Sequence, residues 1–135
     1  MKLEEFKKNI DIIIEDVREF AITCPYECIV LDTDISYLKS LDRLLNIIKK
    51  IYEEGKIENN QVNDISFNLG VFLGEMMLKE NNYHWIMNNN LPMIESNKNN
   101  ITNPISYIYH FITSKNTNIY LPSKYYNDFL KIDSE

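Results

Sequence analysis

The stretch from Ile65 to Ile86 constrains the fold most, because it begins with a largely apolar helical segment that contains two glycines. Gly70 and Gly74 are four residues apart and therefore share one face of the predicted helix. Each glycine inside a helix costs roughly 1 kcal/mol relative to alanine. We therefore expect the shared face to press closely against another part of the chain. The alternative is that this face forms a groove for a ligand or a partner.

The hydrophobic period changes at Asn81-Asn82, which separates a helix from the region of a sheet. Before this point, apolar residues recur at helical spacing and predict a third helix over about Val62–Lys79. After it, the alternation over Tyr83–Met87 is typical of a strand carrying the only Trp. Two more short strands are predicted over Leu91–Ser96 and Ile101–Thr102, each preceded by an Asn-rich turn. The sequence thus predicts a small antiparallel meander.

Prolines mark the boundaries in the second half of the chain. Pro92 predicts that the second strand lies at an edge of the sheet or begins late. Asn103-Pro104 is an N-cap followed by Pro, and opens a fourth helix ending near Thr113. A polar break at Ser114–Asn118 follows, and Pro122 opens a last short helix.

Two helices are predicted in the N-terminal part. The first covers about Leu3–Ala21, and Glu27–Asp32 follows as an extended segment or short strand. The second covers about Ile35–Glu54, with Asp34 as its N-cap and Gly55 just beyond its C-terminus. The apolar face of the first helix is predicted to consist of Phe6, Ile10, Ile13, Val17 and Phe20, and Ile12 and Ile14 widen this apolar surface.

With 135 residues the chain is expected to form one domain, 1–135, that buries a substantial core. The predicted fold class is α+β. Three N-terminal helices pack against an antiparallel meander of about three strands, and one or two C-terminal helices close the other side.

The net charge indicates the class of partner, and the targeting signals indicate the compartment. The 20 acidic against 14 basic side chains give a net charge of −6, which disfavours nucleic acid and favours a basic protein partner. Lys49 and Lys50 are interpreted as a solvated helix end. No signal peptide or membrane span is predicted, so we expect a cytoplasmic protein in which Cys24 and Cys28 are reduced thiols.

The chain shows no phosphate-binding glycine loop and no nucleophile elbow, so no catalytic residue, cofactor or metal is predicted. A candidate partner or ligand surface consists of Glu75, Trp85, His84, Asp32 and Asp42. For Glu75 the simpler interpretation is an exposed partner of Lys79, four residues on. For Asp32 and its neighbour Asp34, the simpler interpretation is that both lie at a helix start, where the helix dipole favours carboxylates. His84 is expected at the surface.

The order of motifs between Ile29 and Thr113 resembles a family of small uncharacterised bacterial domains. The first helix and the Tyr-rich tail lie outside this resemblance. Tyr37 stands where relatives commonly have Ser, and Phe72 where many have Tyr. The matching motifs are Leu31-Asp32, Leu38-x-x-Leu41-Asp42, Leu69-Gly70-x-x-Leu73-Gly74-Glu75, Trp85, Pro92 and Asn103-Pro104.

The resemblance implies no established activity, although some similar small acidic domains are immunity proteins encoded beside bacterial toxins. The first functional hypothesis is therefore a non-enzymatic protein-binding module, specifically an immunity protein that neutralises a toxin. The alternative is a small-molecule-binding protein or enzyme with a cleft near Glu75 and Trp85. Self-association through exposed tyrosines is a third hypothesis.

Overall fold

The computed structural model describes residues 1–115 and 120–135, which form five α-helices and one three-stranded sheet. The predicted α+β order, three helices before the sheet and two after it, is confirmed. Residues 116–118 of the predicted polar break lie outside the described residues. The helices are α1 (Leu3–Ile22), α2 (Leu38–Glu53), α3 (Asn59–Glu80), α4 (Pro104–Thr113) and α5 (Pro122–Ser134); the strands are β1 (His84–Asn88), β2 (Leu91–Glu95) and β3 (Ile101–Thr102).

Side-chain caps set several of the helix starts. Asp34 accepts a hydrogen bond from the Ser36 backbone N–H at 2.9 Å and begins a short 3-10 turn that leads into α2. Asn103 caps α4 through the Ser106 N–H at 3.0 Å. Both predicted caps are confirmed, as is Gly55, whose φ of +76° provides the left-handed conformation that follows α2.

The third helix begins three residues before the predicted Val62. The Gln61 side chain accepts from the Glu58 backbone N–H at 2.8 Å, which is one half of a capping box. Because this contact satisfies a free donor at the helix start, the polar residues Asn59 and Asn60 join the helix.

The sheet is an antiparallel meander of order β1-β2-β3. Asn89 and Asn90 connect β1 to β2 with φ of 51° and 64°, as a two-residue hairpin turn of type I′ requires. The prediction that β2 lies at an edge or begins late is wrong, since β2 is the central strand and begins at Leu91. Its Pro92 is tolerated because β3 pairs only with Ile94 and Glu95, so Pro92 faces a strand on one side only.

The core is centred on α3, which packs against α1 and α4, while α2 packs against α4 and α5. On α1 the buried residues include Phe6, Ile14 and Val17, whereas Phe20, which was predicted to lie on the apolar face of this helix, is 39% exposed and lies outside its buried face. The segment Glu27–Asp32 forms no strand. It follows the end of α1 instead, where the Ile29 N–H donates to the Ala21 carbonyl at 3.1 Å and the Ile29 side chain is buried. In the described residues no helix is long and apolar enough to cross a membrane.

Candidate functional site

The face of α3 that carries Gly70 and Gly74, which we call the glycine face, is covered by α4 and β1. A Cβ atom on Gly70 would lie 2.5 Å from the Cα of Ile105 in α4, and one on Gly74 would lie 2.3 Å from Cη2 of Trp85 in β1. Both distances are far shorter than a normal contact between carbon atoms. The expected close packing is therefore confirmed, and the space in which this face could form a groove is occupied by the chain itself.

Trp85 and Glu75 form a pair on the inner side of the sheet. Trp85 is 2% exposed, its ring lies edge-on to Phe6 with 5.1 Å between centroids, and its Nε1 donates to Oε2 of Glu75 at 2.8 Å. The interpretation of Glu75 as an exposed partner of Lys79 is wrong, because Glu75 satisfies the indole. The Nζ of Lys79 donates instead to the hydroxyl of Thr33 at 3.3 Å.

His84 lies on the other face of β1, because successive side chains of a strand point to opposite sides. It is exposed, as predicted, and its Nε2 lies 3.0 Å from Oε1 of Glu95, its cross-strand neighbour. His84 therefore does not converge with Glu75 and Trp85 on one ligand position. Glu75, Trp85 and His84, three of the five residues of the predicted candidate surface, therefore belong to two different contacts.

Asp32 and Asp42, near in sequence, serve separate contacts. Asp32 pairs with Arg18 of α1 and accepts from the Thr33 N–H at 2.8 Å; the Arg18 hydrogen bond, then that of Thr33, lowers the pKa of the Asp32 carboxyl. Asp42 is only 5% exposed and accepts from the backbone N–H and the hydroxyl of Ser123, at 3.0 and 2.7 Å. Residues 1–115 and 120–135 contain no group of three His, Cys, Asp or Glu side chains arranged to hold a metal ion.

Lys49 has a role that the sequence analysis missed. Its Nζ donates to the backbone carbonyls of Phe111 and Ser114, at 2.9 and 2.6 Å, at the end of α4. The interpretation of Lys49 as part of a solvated helix end is therefore wrong. A signal was present: Asp42 and Lys49 are seven residues apart and lie on the same face of α2 as its apolar residues, where charged groups need partners.

An apolar depression lies between α1 and α3, and we call it the α1–α3 groove. Its volume is about 230 Å³. It is lined by Asp16, Val17, Phe20, Ile65, Asn68 and Leu69. Phe20, which the sequence predicts on the apolar face of α1, is the exposed apolar side chain of this groove.

A wider depression of about 720 Å³ lies between the α2–α3 connection and the end of α4. Its lining carries charges of both signs, including Glu53, Glu58 and Lys115. Neither depression contains Glu75, Trp85 or His84.

Comparisons of this chain with protein-family models, with curated proteins and with solved structures find no match. The resemblance of its motifs to a family of small bacterial domains therefore remains a prediction. Within the fold, three of the motif residues, Gly74, Glu75 and Trp85, form one packing unit between α3 and β1.

Proposed function

We propose that this chain is a non-enzymatic protein-binding module with a basic protein as its partner, acting in the cytoplasm as an immunity protein that neutralises a toxin. The observation that supports the proposal most is the surface at the α1–α3 groove. There, an exposed aromatic ring, Phe20, lies one helical turn from the carboxylate of Asp16. The net charge of −6 would attract a basic protein to this chain and raise its association rate.

The alternative, a ligand cleft near Glu75 and Trp85, has less support. The indole is 2% exposed, so its ring offers a ligand little surface for stacking, and the Glu75 carboxylate already accepts the indole N–H. The exposed His84 contacts Glu95 rather than this pair. A small-molecule site requires polar groups that converge on one cavity.

The test is co-expression of the chain with the products of its neighbouring genes in the native host. We expect the chain to relieve the toxicity of one neighbouring product and to co-purify with it as a complex that weakens as ionic strength rises. Glu75→Gln serves as a control substitution outside the groove and should relieve toxicity as the wild type does. It retains an acceptor for the indole N–H of Trp85. Recovery of the chain from the native host without any protein partner, under gentle conditions, would contradict the proposal.

A further inference from the structure

The α1–α3 groove has an apolar floor and an apolar wall. Val17 and Leu69, 3% and 1% exposed, form the floor, and the half-buried Ile65 together with the exposed ring of Phe20 forms the wall. Exposed rings of this size carry a large share of the binding energy where they are covered by a partner. The groove thus offers an apolar contact that the described part of the chain does not itself cover.

Two polar side chains on the rim have no partner within residues 1–115 and 120–135. Asp16 is exposed and takes part in none of the ion pairs there, unlike Glu15, which pairs with the neighbouring Arg18. The amide of Asn68 makes no hydrogen bond to any other described residue. Asp64, also exposed, lies one turn before Asn68 on α3 and adds a second negative charge to that side.

The size and charge of the groove select among possible occupants. A volume of about 230 Å³ is below the roughly 300–1,000 Å³ of small-molecule pockets, so the groove fits one or two side chains of a protein. A second copy of this chain would bring another net charge of −6 against the acidic rim. A protein segment with a cation beside an apolar side chain would complement the groove, because the apolar side chain would contact the floor and the cation would pair with Asp16.

We infer that the α1–α3 groove is the partner-binding site, and that it takes a segment presenting an apolar side chain one helical turn from a Lys or Arg. The apolar side chain packs against Phe20 and Ile65, and the cation pairs with Asp16. The Asn68 amide is placed to bond a backbone group of the same segment. This inference rests on the proposed function, because it names the surface and the partner chemistry through which that function would act.

The test uses a random 12-residue peptide display library selected on the wild-type protein. Peptides that also bind the double variant Asp16→Asn/Phe20→Ser are removed by counter-selection. We expect the remaining peptides to share an apolar residue three or four positions from a Lys or Arg. The inference would be overturned if the selected peptides were acidic, or if no peptide bound the wild type better than the double variant.

Synthetic versions of the selected peptides are then titrated into single variants. We expect Phe20→Ser to weaken binding about tenfold, as for a central interface residue. Asp16→Asn should weaken binding several-fold at low salt and little at high salt. Ile12→Ser and Glu19→Gln are matched controls, since both residues are exposed on α1 outside the groove, and binding should stay within about twofold. Equal weakening by the controls would overturn the inference.

Failure of this inference and failure of the proposed function give different results. If a neighbouring gene product binds the chain equally well in wild type and in Phe20→Ser, the partner uses another surface and only the present inference fails. If the selected peptides bind the groove but the chain has no protein partner in its host, the inferred binding specificity of the groove is supported and the proposed function fails.

Discussion

Asp42 of α2 caps the N-terminus of α5, since its carboxylate oxygens accept from the backbone N–H and the hydroxyl of Ser123 at 3.0 and 2.7 Å. The residue in the N-cap position of α5, Leu121, has no side chain that can do so. Two turns along the same face of α2, Lys49 donates to the last carbonyls of α4. An anion at a helix start and a cation at a helix end both suit the helix dipole, so α2 positions the two C-terminal helices.

The Asp42 cap predicts that Asp42→Ala destabilises the protein by about 1–3 kcal/mol, because it leaves a part-buried backbone donor of α5, the Ser123 N–H, unsatisfied. Ser123→Ala should cost less, since the backbone N–H of residue 123 still bonds to Asp42. Urea unfolding at equal slope measures both changes. In the Ser123→Ala background, Asp42→Ala should cost less than it does alone, because the two residues share one interaction. Additive costs would contradict this account of the cap.

The glycine face predicts that Gly70→Ala and Gly74→Ala both lower stability, by about 1–3 kcal/mol, although alanine favours a helix. At Gly70 the new methyl meets the backbone of Ile105, at 2.5 Å from Cα, and backbone cannot move aside without shifting α4. At Gly74 it meets the ring of Trp85, which the bond to Glu75 holds in place. The urea midpoint measures the effect, and Asn63→Ala at an exposed position of α3 is the control.

The origin of the Gly74 effect can be isolated with Trp85→Phe, which removes the ring atoms nearest to Gly74. In that background we expect Gly74→Ala to cost clearly less than in the wild type. A stabilising effect of Gly74→Ala in the wild-type protein would show that this face is open.

The Glu75–Trp85 bond predicts different outcomes for two substitutions of Glu75. Glu75→Ala should cost about 1 kcal/mol and change the emission of the only Trp, because it leaves a buried indole N–H without an acceptor. Glu75→Gln should cost less, since its amide oxygen still accepts. Lys79→Ala should leave the emission unchanged, as Lys79 contacts Thr33 rather than Glu75. An emission change in Lys79→Ala equal to that in Glu75→Ala would contradict the assignment.

The tyrosines predict a loss of stability at alkaline pH. Burial, and then the charge of Asp133, raises the pKa of Tyr83 from 10.0 to about 12. Burial also raises the pKa of the Tyr107, Tyr125 and Tyr126 phenols. Below pH 10 these groups are neutral in both states. Between about pH 10 and 12 the unfolded chain releases the Tyr83 proton while the folded chain retains it, so the free energy of unfolding falls as pH rises.

Urea unfolding between pH 8 and 11 measures this dependence. Tyr83→Phe should flatten the decline above pH 10, because phenylalanine has no proton to release. Tyr109→Phe, at an exposed position of α4, is the matched control. Equal slopes for wild type and Tyr83→Phe would show that Tyr83 does not contribute to the alkaline loss.

Local patterns in the sequence determined the elements of this fold. The helical spacing of apolar residues, the caps at Asp34 and Asn103, and the Asn89-Asn90 turn act within a few residues of themselves, so they predict structure from sequence alone. The close packing at Gly70 and Gly74 was also predictable, because glycine inside a helix is costly unless the space is needed.

Only the tertiary structure decided which charged and aromatic side chains have partners. Asp42 bonds to a residue 81 positions away and Lys49 to carbonyls 62 and 65 positions away, and no local pattern identifies such partners. Glu75 has Lys79 at the correct helical spacing and yet bonds to Trp85, since satisfying a buried indole is worth more than an exposed ion pair. Phe20 follows the apolar spacing of α1 but stays exposed, because α3 leaves the α1–α3 groove beside it. The sequence therefore determined which helices and strands form, while the packing between them decided which surface is left for a partner.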